Sequence, residues 1–120
     1  MARYSTVHVD DLEGEGPEGR VRKARRALGA RAFGLNVFRL PPGAEGREHD
    51  HAQGNQEEVY FVLSGSGVVR VDGEEAELRP GVLVRVDPAA TRAMVAGDEG
   101  LEYLAIGAPL EGGYEPPEWA

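Results

Sequence analysis

Cysteine is absent from this 120-residue chain. That excludes a disulfide framework, a thiol nucleophile and a thiolate-bound metal, so any metal must be held by nitrogen and oxygen donors. Long apolar runs are missing too. No segment approaches the roughly 20 apolar residues of a membrane-spanning helix, and Met1-Ala2-Arg3-Tyr4-Ser5 has no apolar stretch of signal-peptide length. The chain is accordingly read as cytoplasmic, with no membrane partner. Positive charge is in deficit: 13 Lys and Arg face 21 Asp and Glu, a formal net charge of −8. Such a field repels a phosphate backbone and argues against a nucleic-acid partner. The exception is Arg20-Val21-Arg22-Lys23-Ala24-Arg25-Arg26, which reads either as a solvated face or an intersubunit ion-pair strip, or as a local anion or nucleic-acid site.

Turn-forming residues are plentiful, with 17 Gly and 8 Pro, and short runs of valine, leucine and aromatics lie between them. This punctuation predicts an all-β domain. Thr6-Val7-His8-Val9 reads as a first strand, followed by a Gly/Glu/Pro-rich loop, while residues 22–28 suit a helix or an edge strand equally. Residues 33–40 form a strand ended by Pro41-Pro42-Gly43. Residues 58–63 are apolar on both faces and imply burial on both sides. Gly65-Ser66-Gly67 reads as a turn before a strand at 68–71, and Asp72-Gly73 signals a hairpin. Further strands are expected at 76–79, 82–86, 92–95 and 101–106. Roughly eight or more short strands closing on themselves fit a double-sheet jelly roll. One domain is expected over 1–120: an N-terminal arm and strand (1–32), a barrel core (33–107) and a tail (108–120) whose Tyr114 and Trp119 pack on the barrel or a partner.

The chain holds three histidines, and two of them, His49 and His51, are two residues apart. In extended backbone their imidazoles leave the same face and can converge on one ion. Glu58, at the start of the next strand, can add a carboxylate, and two imidazoles with one carboxylate suit a first-row divalent metal. Tyr60 and Val62 share the inward parity of Glu58. Glu57, Gln53 and Gln56 are weaker substitutes for Glu58, and His8 could contribute only if the N-terminal strand folded close. Ser64 and Ser66 have no adjacent histidine to act as a base.

These residues carry a resemblance. From about Phe33 to Ile106 the chain resembles a small single-domain cupin of the conserved-barrel type, a double-stranded β-helix or jelly-roll barrel. The first cupin motif is Gly, five residues, His-x-His, three or four residues, Glu, six residues, Gly; Gly43, His49, His51, Glu58 and Gly65 hold its places. Six residues, 52–57, stand where three or four are usual. The second motif is degraded: Gly81 holds its first position, Asp87-Pro88-Ala89 replaces Pro-x-Gly, Arg92 replaces the histidine and Ala96 the asparagine.

The resemblance implies a divalent metal (Fe, Mn, Ni or Zn) on His49, His51 and Glu58, with the fourth protein ligand missing. It also implies a small-molecule ligand and a homodimer. Three readings of Arg92 stand open. It clamps an anionic substrate beside the metal, it pairs with Glu58 in place of a metal, or it reaches solvent. If the chain is an enzyme, the resemblance implies an oxygenase, isomerase or decarboxylase, with Tyr60 as proton donor and Arg92 orienting substrate. The alternatives are a metal-free small-ligand-binding or sensor protein, and a barrel retained for its fold or its dimer contacts.

Overall fold

The computed structural model describes residues 2–120; Met1, the first residue of the expected domain, lies outside the described residues. In chain order the elements are β1 (Val21–Arg22), α1 (Ala24–Leu28), β2 (Gly34–Leu40), β3 (Gln56–Val71), β4 (Glu74–Leu78), β5 (Leu83–Val86) and β6 (Arg92–Pro109). All strand pairings are antiparallel, with β1, β2, β6, β3 and β4 in sequence across the sheet and β5 also paired to β3. The architecture is an antiparallel jelly-roll barrel.

Its spine is the long pair β3 and β6. Gln56 of β3 faces Pro109 of β6 at one end and Val71 faces Arg92 at the other, with register shifts between Val62 and Ser64 and between Gly65 and Gly67. Bulges bend a strand and raise its twist. One half of the pair is flanked by β2 and β5, and the other by β4 and by the bridges Glu45–Val95 and His49–Arg92. Side chains from both halves then share one core, including Tyr60, Val62 and Tyr103 from one and Val69, Leu78 and Met94 from the other.

Several expectations require correction. Residues 65–67 are not a turn but the bulged centre of β3, and the strands expected at 92–95 and 101–106 are halves of β6. The glycines explain this: a Cβ on Gly65 would sit 2.1 Å from the Gly100 carbonyl oxygen, and one on Gly67 2.1 Å from that of Val95. Backbones meet there as only glycine permits.

Thr6-Val7-His8-Val9 forms no strand. His8 Nδ1 instead accepts a hydrogen bond from the Asp10 amide, capping a 3-10 turn over Val9–Asp11. A local side-chain acceptor competes with extended pairing at this point.

Residues 58–63 are buried on one face only. Tyr60 and Val62 face the core, whereas Leu63 is exposed and Phe61 half-exposed. The segment left open at 22–28 resolves into the end of β1 and the five-residue α1, closed by Gly29 in the left-handed region at φ 74°. Its cations are engaged within the chain. Arg20 meets Glu18 and the Glu45 carbonyl, Lys23 meets Glu15, and Arg25 and Arg26 donate to the tail carbonyls of Ala120 and Glu118. Tyr114 of the tail lies against Gly34 of β2, while Trp119 is exposed.

Candidate metal centre

The chain enters the site along residues 44–51, which run beside the first half of β6. The His49 amide donates to the Arg92 carbonyl at 2.9 Å and the Arg92 amide to the His49 carbonyl at 2.8 Å. Directly opposed residues of an antiparallel pair project to the same face, so His49 and Arg92 are neighbours by construction. The His51 amide is fixed in turn by the Pro88 carbonyl at 2.9 Å. Across the barrel Glu58 stands in β3, opposite Val86 of β5 and Gly107 of β6. The long spacing between His51 and Glu58 is taken up by a turn at 52–55, where Asn55 adopts φ 51° and its amide bonds the Ala52 carbonyl.

One ligand atom from each of His49, His51 and Glu58 lies within 4.8 Å of the others. The two rings are edge-to-face with centroids 5.0 Å apart. His49 Nδ1 is 2.9 Å from the Arg47 carbonyl oxygen. A carbonyl can only accept, so Nδ1 carries the proton and Nε2 keeps its lone pair, the usual device for aiming a ligating histidine. Burial holds the His49 pKa below the ordinary imidazole value, outweighing the upward pull of the Arg47 carbonyl and Glu58. His49 is therefore a neutral donor at neutral pH.

The two oxygens of Glu58 have different neighbours. Oε1 accepts the Tyr60 hydroxyl and lies 3.9 Å from Arg92 Nε. Oε2 faces His51 Nε2 at 3.4 Å. Burial pushes the Glu58 carboxyl up, but His51, the Tyr60 hydroxyl and Arg92 together hold it below the usual carboxylate range. Tyr60 is itself pushed far above the ordinary phenol value, first by burial and then by the adjacent Glu58 charge. Its proton stays on the hydroxyl, where it orients the carboxylate. Tyr60 packs edge-to-face on Tyr103, which stacks on Phe38, so the hydroxyl is held from behind by a row of aromatic rings.

The donor set fits a divalent cation. His51 Nε2 is buried, makes no hydrogen bond and faces a carboxylate oxygen. Two imidazoles and one carboxylate match a first-row ion with coordination positions to spare. Among the described residues no fourth donor, histidine or carboxylate, joins the group. His8 is exposed on its own turn, Glu57 pairs outward with Arg85 at 2.8 Å, and Gln53 is exposed.

Arg92 does not reach solvent. It is 0% exposed, Nη1 donates to the Ala90 carbonyl at 3.0 Å and Nη2 to that of Asp87 at 3.3 Å. Its Nε is buried without a partner. At an effective dielectric of about 20, unit charges 4 Å apart interact by roughly 4 kcal/mol. Arg92 is thus a first-rank electrostatic feature of the site. Sequence reasoning missed Asn36, a buried polar residue on the core side of β2, in the same cross-sheet row as Tyr60, with an unpartnered Oδ1. An asparagine inside the apolar strand Gly-Leu-Asn-Val-Phe was the available signal.

Comparison with known proteins agrees with this architecture. The chain is 38% identical over 69 residues to dimethylsulfoniopropionate lyase DddW of Ruegeria pomeroyi, covering 58% of this chain and 43% of that protein. It is 36% identical over 88 residues to glucose-6-phosphate isomerase of Pyrococcus horikoshii, covering 63% and 46%. The chain spans under half the length of these two relatives. A cupin protein from Bacteroides fragilis superposes with TM-score 0.77 at 26% identity over 96% of this chain and 93% of that one. The family model described as Cupin domain matches residues 36–107, more than half of the sequence, and the chain belongs to the cupin family.

Proposed function

We propose that this chain holds one divalent first-row ion through His49, His51 and Glu58 and binds or transforms a small metabolite at the coordination positions they leave open. The carrying observation is the convergence of one ligand atom from each of His49, His51 and Glu58 within 4.8 Å, with His51 Nε2 buried and 3.4 Å from Glu58 Oε2. The metal, when bound, supplies Lewis acidity and a place to polarise a ligand oxygen. The chain's own residues set the rest: Arg47 aims His49, Tyr60 holds Glu58, and Arg92 places a cation beside them. The relatives named above are a lyase and an isomerase. They support small-molecule chemistry without selecting oxidation, isomerisation or decarboxylation.

A single domain over 1–120 and a homodimer belong to the same proposal. Leu83, Leu63 and Ile106 are exposed on adjoining outer rows of β5, β3 and β6, an apolar face suited to a second copy.

One observation favours a second reading, a metal-free ligand-binding or sensor cupin: Arg92 Nε already lies 3.9 Å from Glu58 Oε1 and offsets its charge. Dialysis against Mn, Fe(II), Ni or Zn in acetate buffer, followed by elemental analysis, separates the two. The expected result is close to one ion per chain for at least one metal. Uptake of none overturns the metal reading and leaves the metal-free one.

A further inference from the structure

We infer that Arg92 makes the site a coupled receptor, in which a divalent metal and a small carboxylate anion bind together and each raises affinity for the other. The inference rests on the metal reading above and adds the class of ligand. It begins from a count of donors. A guanidinium has five N–H groups; the Ala90 and Asp87 carbonyls each take one, and the remaining donors, Nε among them, have no hydrogen-bond partner. A cation buried to 0% exposure, whose Nε makes no hydrogen bond and only a 3.9 Å ion-pair contact with Glu58, is an incomplete recognition element.

The charges of the cluster lead to the same place. Without metal, the Arg92 cation and the Glu58 carboxylate balance at 3.9 Å. A divalent ion bound to Glu58 draws that carboxylate's charge to itself and leaves the guanidinium beside a second cation. Anion binding removes the conflict. A carboxylate is planar, matches the guanidinium fork, and can offer an oxygen to each cation.

The anion must be small, because the buried Tyr60, whose hydroxyl meets Glu58, and the buried Tyr103 packed on it close the site on the Glu58 side. Backbone pairing sets where the arginine side chain starts, since Arg92 and His49 exchange both main-chain hydrogen bonds, and the Ala90 and Asp87 carbonyls hold the guanidinium through Nη1 and Nη2. Arg92 therefore has a role that a histidine at the same position would not fill. The histidine would add a metal ligand, whereas the arginine adds an anion requirement.

The test is titration of the metal-free protein with Mn2+, followed by the electron paramagnetic resonance of the free ion. It is run in 10 mM sodium glycolate and in sodium perchlorate of equal ionic strength, correcting for the weak Mn–glycolate complex. Glycolate is expected to tighten Mn2+ binding by about tenfold or more, within the usual range of coupling between sites. Linkage requires Mn2+ to tighten glycolate by the same factor, a calorimetric check on wild type that needs no variant. Arg92→Met is expected to bind Mn2+ in perchlorate at least as tightly as wild type and to respond less than twofold to glycolate. Arg92→Lys, which keeps the charge but loses the fork, is expected to fall between. Equal Mn2+ affinity in both salts for wild type, or the same glycolate response in Arg92→Met, overturns the inference and leaves the metal site standing. Absence of Mn2+ binding in every protein and salt overturns the inference, and the metal reading then stands or falls on the four-metal dialysis above.

Discussion

Replacing His49 and His51 together by alanine is expected to abolish metal binding while leaving the barrel folded. Two of the three donors disappear, and a lone Glu58 carboxylate beside the Arg92 cation has no means of holding a divalent ion. Loss of outer partners of a metal ligand costs about 10–100-fold in affinity, and loss of the ligands themselves is expected to exceed that range. The fold survives because the two histidines fix the chain through main-chain atoms: the His49 amide and carbonyl bond Arg92, and the His51 amide bonds the Pro88 carbonyl. Alanine keeps all three bonds. Elemental analysis is expected to fall from about one ion per chain to none, with the urea midpoints of the metal-free proteins nearly equal. Only the stabilisation linked to bound metal disappears. A double variant that retains the metal would place the site elsewhere.

Gly65→Ala is expected to be the most damaging single methyl addition in the barrel. The new Cβ would lie 2.1 Å from the Gly100 carbonyl oxygen and 3.0 Å from Leu101 Cα, both backbone atoms that no rotamer change can move aside. Gly65 also has φ 83°, in the left-handed region. Backbone strain and overpacking each cost about 1–3 kcal/mol, so a loss of roughly 3–5 kcal/mol in urea unfolding is expected. Gly73→Ala is the control, since Gly73 has φ 84° with nothing within 4 Å of an added Cβ. It carries the strain alone, about 1–2 kcal/mol. Equal losses for the two variants would mean that the bulge between β3 and β6 tolerates a wider separation than the register implies.

The candidate ligand set was legible in the sequence because it depends on local parity. His49 and His51 differ by two, and Glu58 shares its parity with Tyr60 and Val62, which are buried, while Glu57 pairs outward with Arg85. Such relations need only the strand period. Arg92 was not legible in the same way. Its burial follows from pairing with His49, a contact across 43 positions that no local pattern encodes, and from carbonyls of a turn whose course depends on Asp87-Pro88.

The roles of Arg47 and Tyr60 were hidden for a related reason. One acts through a backbone carbonyl, and the other donates its hydroxyl to Glu58. The N-terminal arm misled because Thr6-Val7-His8-Val9 has strand composition, yet His8 offers its own side chain to the Asp10 amide. The glycines at 65 and 67 misled in the opposite sense: glycine marks a close backbone approach as readily as a turn, and only the position of the partner strand distinguishes the two.

X-ray absorption of the Ni2+-loaded protein measures the ligand set directly, because imidazole carbons scatter at distances that separate them from carboxylate and water. Two imidazoles with oxygen in the remaining positions are expected, from His49, His51 and Glu58. A shell of oxygen alone, or one containing a single imidazole, would contradict the centre built by these three residues.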